Sequence, residues 1–303
     1  MDGVGVADRP IERRIPAPDG RTLAVAEWGD PSGFPVVAIH GTPGSRLGRW
    51  RDPSIYARAG IRRITFDRAG YGQSTRRPGR RVADIAEDVR TIADALGIER
   101  FAVTGRSGGG PHSLACAALL PDRVIRCAAV VAVAPFDADG LDWFAGQTAG
   151  NVREGELSLM GEAALREQLD EDRRTILDRV ASGAVDALPD AYQLTESDRK
   201  QQRKDRAVFD EVMTDTLRDG VDGWVDDDLP FVAPWGFDVG SIAVQTSLWF
   251  GRSDTLVPAA HGDWLAAHIP DAEVFASDFG HFGEDADAAR ELDWLAGRQV
   301  ASA

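Results

Sequence analysis

The chain has 303 residues, 43% of them hydrophobic, and a formal net charge of -15. That is enough apolar material for at least one sizeable core, in two domains or in one domain with an insertion. The acidic balance argues against nucleic acid and anionic membrane surfaces as partners, because both call for basic patches.

The N-terminal MDGVGVADRP has no basic stretch followed by an apolar one, so no signal peptide is expected. No run of about 18 apolar residues occurs, so nothing is expected to span a bilayer. A soluble, cytoplasmic protein is the expectation. The segment IERRIPAPDGRTLAVAEWGD reads as two strands turning at Asp19-Gly20. PVVAIHG (35–41) is a continuous apolar strand leading into a glycine- and proline-rich turn. RWRDPSIYARAG is partly helical, and RRITFDRAGYG is strand then turn. In 82–97, Val82, Ile85, Val89, Ile92 and Leu96 fall at helix spacing, with Gly97 as the stop. RFAVTG is a strand, GGPHSLACAALLPDR a helix and CAAVVAVAP a strand.

Residues 35–135 thus alternate strand and helix, with strands apolar throughout. That pattern means a parallel sheet covered by helices on both faces. From 136 to about 235 no strand is expected. Charged helical stretches take over, with Leu165, Leu169, Ile176 and Val180 on one face and Phe209, Met213 and Leu217 on another. Alternation resumes with IAVQTSLWFGRSD, PAAHGDWLAAHIP, AEVFASDFGHFG and a last helix near 285–297. The expected division is a core of 1–135 and 236–303, interrupted by a helical cap at 136–235.

Four glycines surround Ser107 in FAVTGRSGGGPHSLACAALL. A strand before and a helix after make this a Gly-x-Ser-x-Gly nucleophile elbow, in which Gly105 and Gly109 let strand and helix approach. The bend tolerates backbone strain of about 1–3 kcal/mol and presents the hydroxyl at a helix N-terminus, which favours negative charge. The second GRS, at 251–253, is followed by Asp254 and has no small residue at 255, so it fails this pattern.

A serine needs a base within hydrogen-bond reach. Of five histidines, His281 lies in a glycine-flanked loop after the last strand, at the carboxyl edge that parallel strands share. His40 reads as loop support, His112 as a helix residue, and His261 and His268 as surface or packing residues. Asp254, directly after its strand, is the preferred acid to orient the base, with Asp137 and Asp139 as rivals. Asp278 lies too near His281 along the chain to be preferred. Oxyanion donors are expected from the backbone N–H groups of Gly108 and Thr42.

Cys116 and Cys127 lie in apolar stretches and read as buried free thiols. The chain carries no zinc signature. Lys200 and Lys204, its two lysines, sit in a charged run unsuited to Schiff-base chemistry. No cofactor or metal is expected.

HGTPGS, DRAGYGQS, GRSGGG, GRSDTLVP and FGHFGE, in that order, resemble the α/β-hydrolase superfamily over nearly the whole chain. The resemblance implies an α/β fold with an eight-stranded, mostly parallel sheet and a cap inserted after the sixth strand. It implies a triad of Ser107, Asp254 and His281. Serine at the elbow sets the chain apart from epoxide hydrolases and haloalkane dehalogenases, whose nucleophile is aspartate. Asp67 and Ser74 match a loop that is usually structural in the family. HGTPGS is also similar to the HGGPG of proline iminopeptidases, although the elbow departs from their GGSWGG-like form.

Trp143, Phe144, Trp224, Phe231 and Trp235 lie in the cap or its junctions and are expected to line an apolar substrate pocket or to fix the cap to the core. The expected reaction is cofactor-independent hydrolysis of a carboxylic ester or lactone of a small, largely apolar molecule. Amide cleavage and carbon–carbon bond hydrolysis use the same constellation. A peroxide-forming side activity of the same site is a further alternative. A ligand receptor on this fold with little turnover is the alternative from another class. The sequence leaves the oligomeric state open.

Overall fold

The structure is a computed structural model that describes residues 9–184 and 188–300. The reading of the first eight residues as lacking a targeting segment lies outside these. β1 (Ile11–Pro16) and β2 (Thr22–Gly29) pair antiparallel, with Ile15 opposite Leu23. The turn between them is closed by the Asp19 carboxylate, which accepts from the Arg21 backbone N–H, and by Gly20 at φ 86°.

Six further strands follow: β3 (Phe34–Ile39), β4 (Ile61–Phe66), β5 (Phe101–Arg106), β6 (Val124–Val130), β7 (Gln245–Gly251) and β8 (Glu273–Ser277). Together the eight form one sheet in the order β1-β2-β4-β3-β5-β6-β7-β8. β2 meets β4 antiparallel, and every pairing from β4 through β8 is parallel. The chain runs from β3 to β4 on one side and then crosses to β5 on the other. The crevice between the carboxyl ends of β3 and β5 is therefore a topological switch point, where open α/β sheets bind ligands.

The apolar strands bury successive residues on opposite faces, as a sheet covered on both sides requires. Val37, Val103, Ala129 and Leu248 join one core layer with helices α2 (Ile85–Ala95), α3 (Gly109–Leu119) and α9 (Ala259–His268). Val36, Ala102, Ala128 and Trp249 join the other, with α1 (Ser54–Arg58) and α10 (Asp285–Leu295). The spacing read in 82–97 is split: Val82 lies in a 3-10 turn, Ile85, Val89 and Ile92 are buried in α2, and Gly97 at φ 66° ends it.

The strand read in CAAVVAVAP stops early. β6 ends at Val130, because Val131 takes φ 44° and turns the chain out of the sheet. Val131 through Ala134 remain buried, and Ala132 packs so closely on Gly110 that a Cβ there would lie 2.9 Å from the Ala132 Cα.

Among the described residues five α-helices lie between β6 and β7: α4 (Ala149–Met160), α5 (Glu162–Ser182), α6 (Glu196–Lys204), α7 (Arg206–Thr216) and α8 (Asp222–Phe231). They carry a hydrophobic cluster of their own. Leu165, Leu169 and Ile176 of α5 meet Val212 and Met213 of α7, Leu217 just beyond it, and Trp224 and Val225 of α8. Tyr71, from the loop after β4, inserts into this cluster and ties the helices to the sheet. Among the described residues no helix is long and apolar enough to cross a membrane.

Candidate active site

Ser107 occupies the bend between β5 and α3 with φ 54°, in the left-handed region that L-residues with a Cβ rarely adopt. Its backbone is held on both sides. The Ser107 N–H donates to Val130 O at 2.8 Å, and the Gly110 N–H donates to Ser107 O at 2.8 Å. The flanking glycines are required by contact. A Cβ at Gly109 would lie 2.6 Å from His40 O, and one at Gly105 would lie 2.5 Å from the carbonyl carbon of Gly109. Strand, bend and helix therefore pack at a separation that only hydrogen side chains permit.

His281 lies in the loop after β8 and is buried. Its Nδ1 donates to Asp254 Oδ2 at 2.8 Å. The other carboxylate oxygen of Asp254, Oδ1, accepts from the backbone N–H groups of Leu256 (2.8 Å) and Val257 (3.0 Å). With every oxygen engaged and the side chain fully buried, Asp254 cannot swing away. The carboxylate fixes the proton on Nδ1, which leaves Nε2 of the neutral ring as a proton acceptor. Asp137, Asp139 and Asp278 are exposed.

Ser107, Gly108, Thr42 and His281 line one cavity of about 440 Å³ over the carboxyl edge of the sheet. Thr42 and Gly108 meet directly: a Cβ at Gly108 would lie 2.8 Å from the Thr42 Cβ. Trp143, Trp224 and Phe231 also line the cavity, together with Val133, Leu256 and Val257. Phe144 and Trp235 do not. Phe144 packs edge-on to Trp143 and to Phe136 and lies against Gly155. Trp235 stacks on Phe237 within the core layer under the sheet. Both serve packing rather than the cavity.

A family model described as the alpha/beta hydrolase fold matches residues 35–284. The chain is an α/β hydrolase. Among curated relatives, it is similar to a proline iminopeptidase of Xylella fastidiosa (35% identical over 112 residues, 35% of this chain and 34% of the relative). It is also similar to epoxide hydrolase B of Mycobacterium tuberculosis (34% over 136 residues, 43% of this chain and 37% of the relative). The chain thus spans about a third of the length of these relatives. Among solved structures, it is similar to an enol-lactonase from Burkholderia xenovorans LB400, with TM-score 0.67, 17% identity, and 94% of this chain and 98% of that one covered. An esterase from Rhodococcus sp. ECU1013 gives TM-score 0.66 and 20% identity over 94% and 98%.

The hydrolase surrounds this site with an ionic network that its sequence does not announce. Asp227 of α8 is fully buried and receives Arg68 and Arg80, Tyr71 OH at 2.8 Å and Thr42 Oγ1 at 2.7 Å. Burial pushes the Asp227 carboxyl up, but Arg68 and Arg80 overcome it and hold it well below the usual range. His112 lies beside this network, its Nδ1 donating to Gly108 O at 2.9 Å. Burial first, and the charge of Arg68 next, lower it to about 3, so its ring stays neutral. His40 accepts from the Arg68 backbone N–H at 3.1 Å, in keeping with loop support. His261 is a buried packing residue that accepts from the Ala134 N–H, and His268 ends α9.

A second unannounced contact reaches the His281 loop. Asp198, buried in α6, accepts from the Phe282 N–H at 2.8 Å and from Thr195 Oγ1 at 2.7 Å. Asp67 and Ser74 hold backbone in the loop after β4. Asp67 accepts from the Arg46 and Gln73 N–H groups, and Ser74 Oγ accepts from the Ala24 N–H. Cys116 and Cys127 are free and buried.

The Asp227 network has a measurable consequence. Asp227→Asn leaves two buried guanidinium groups without their counter-charge. A loss of about 3–5 kcal/mol is expected, read as a lower urea midpoint at neutral pH. An unchanged midpoint shows that the network carries no net stability.

Proposed function

We propose that this α/β hydrolase is a serine hydrolase that cleaves a carboxylic ester or lactone of a small molecule through an acyl-enzyme. Residues 136–235 act as a cap over a core of 1–135 and 236–303. The observation that carries the reading is the locked His281–Asp254 pair, opening onto the cavity where Ser107 stands at its strained bend.

Ser107 Oγ attacks the carbonyl carbon, and its proton passes to His281 Nε2. The carbonyl oxygen becomes an oxyanion that receives the Thr42 and Gly108 N–H groups, each worth about 2.7–4 kcal/mol of transition-state stabilisation. As the C–O bond breaks, the leaving alkoxide takes the proton from His281. In a lactone, it stays tethered to the acyl group. Water then gives a proton to His281 and attacks the acyl-enzyme, and Ser107 regains its hydrogen as the acid leaves. Asp254 holds the ring in its tautomer and stabilises its charged form. Trp143, Phe231, Val133 and Leu256 supply apolar walls for the acyl and leaving groups.

The esterase and enol-lactonase among similar structures support an ester or lactone bond. Amide cleavage is the second reading, favoured by the proline iminopeptidase among the relatives. A fluorophosphonate probe followed by p-nitrophenyl esters, lactones and p-nitroanilides tests both. Labelling of one serine with ester or lactone turnover is expected. Anilide turnover at comparable rates moves the assignment to amides. Failure of the probe to label overturns the reading and favours a ligand receptor.

A further inference from the structure

The cavity has an acidic corner on the side formed by α4 and α8. Glu154 and Asp228 both line it. Asp228 is 6% exposed, and its Oδ2 has no hydrogen-bond partner. Its carboxyl meets that of Glu154. Glu154 accepts from Trp224 Nε1 at 2.7 Å and from Tyr192 OH at 2.8 Å, and Tyr192 OH stands 3.3 Å from a third acid, Asp172. Among the described residues no arginine, lysine or histidine forms an ion pair with Glu154, Asp172 or Asp228. Arg68, the positive charge that acts on Asp228, is paired with Asp227.

Such an arrangement is costly on its own. A buried carboxylate without a counter-charge loses several kcal/mol of solvation. Burial first, and Glu154 next, push the Asp228 carboxyl well above its usual range. A hydrophobic residue or an amide in this position removes that cost. An acid on a cavity wall, paired with another acid and partly unsatisfied, is a place where a cation completes the hydrogen bonds. Trp224 and Tyr192 line the cavity beside it, with their Nε1–H and OH groups turned to Glu154. No group of three or more His, Cys, Asp and Glu side chains is arranged to hold a metal ion among the described residues.

We propose that Glu154 and Asp228 form a subsite for a protonated amine, so that the carbonyl compound cleaved at Ser107 carries a cationic amino group at its far end. The placement rests on Ser107 being the nucleophile, because the corner and the elbow share one cavity. The ammonium gives its hydrogens to Asp228 and to the remaining lone pairs of Glu154, while Trp224 and Tyr192 keep Glu154 in place. Neutral apolar substrates of the same size then leave the acid corner unsatisfied, and discrimination against them follows.

The test measures binding without chemistry first. Ser107→Ala protein is titrated calorimetrically with n-butylammonium and, separately, with 1-butanol. At least tenfold tighter binding of the ammonium is expected, falling to less than twofold when Asp228→Asn or Glu154→Gln is added. Equal affinity for the two compounds overturns the subsite, as does a preference that survives both substitutions. Melting temperature supplies a second readout. Asp228→Asn without ligand is expected to melt higher than its parent, because an amide is cheaper to bury. A lower melting temperature marks the carboxyl as structural and overturns the proposal. This variant carries the test if Glu154→Gln fails to fold.

Parent protein is then given phenyl esters of 4-aminobutyrate and of pentanoate, with at least tenfold higher kcat/KM expected for the first. Turnover of both at similar rates overturns the subsite and leaves the hydrolase reading intact. Ammonium binding with no turnover of any ester removes the hydrolase reading and leaves the subsite standing.

Discussion

Replacing Ser107 with alanine is expected to lower kcat toward p-nitrophenyl esters by a factor on the order of 10^6, since members of such a constellation act as a unit. The residual rate reflects oxyanion donors and binding alone. Stability should hardly change, because the backbone of Ser107 makes the bend's hydrogen bonds and alanine keeps them. A companion variant separates chemistry from strain. Ser107→Gly removes the same hydroxyl but suits φ 54°. It is expected to be as inactive as the alanine variant and more stable than it by about 1 kcal/mol, within the range for such strain. Urea denaturation of the two variants, beside steady-state rates, checks both halves. Full activity in Ser107→Ala moves the nucleophile elsewhere. Equal stability of the pair shows that the bend is not strained.

Asp254→Asn is the next largest effect, expected at about 10^4 in kcat with KM little altered. The reason lies in the proton on Nδ1. Asp254 Oδ2 accepts from His281 Nδ1, and an amide in its place can present its NH2 group to that nitrogen. The proton then moves to Nε2, and the ring no longer accepts from the serine hydroxyl. Asp137→Asn is expected to leave kcat within twofold, since Asp137 is exposed after β6. Parallel rate measurements on the two variants decide between them. Greater damage from Asp137→Asn than from Asp254→Asn makes the assignment of the acid wrong.

Much of the architecture is legible because it rests on local rules. Apolar runs such as FAVT and CAAV, separated by one helix, specify a parallel sheet without any knowledge of partners. The Gly-x-Ser-x-Gly spacing marks a bend because both glycines answer a steric demand, and their missing Cβ atoms are where His40 O and the Gly109 carbonyl pass. The extent of the strand near residue 130 was not legible. Val131 through Ala134 are as apolar as a strand, and a single positive φ takes them out of the sheet.

The aromatic residues show the other limit. Trp143 and Phe144 are neighbours in sequence with the same chemistry, yet only Trp143 reaches the cavity. Trp235 is buried in the core layer rather than beside the site. Hydrophobicity says that such side chains are inside, not which interior they join. The acidic triplet Asp226-Asp227-Asp228 is similar. It is set among Trp224, Val225, Leu229 and Phe231, and its three members part company. Asp226 pairs with Arg76, Asp227 with Arg68 and Arg80, and Asp228 faces the cavity.

The sequence by itself determined the sheet, the bend at Ser107 and the loops that share its carboxyl edge, because strand periodicity, glycine sterics and parallel connection are properties of short segments. Only the tertiary structure decided which acid meets His281 and which residues of the helical insertion reach the cavity. It also decided that α8 delivers one carboxylate to two arginines and the next to an unpaired corner. Those outcomes depend on how separate segments approach in space, and burial and charge pairing are set by that approach rather than by neighbours along the chain.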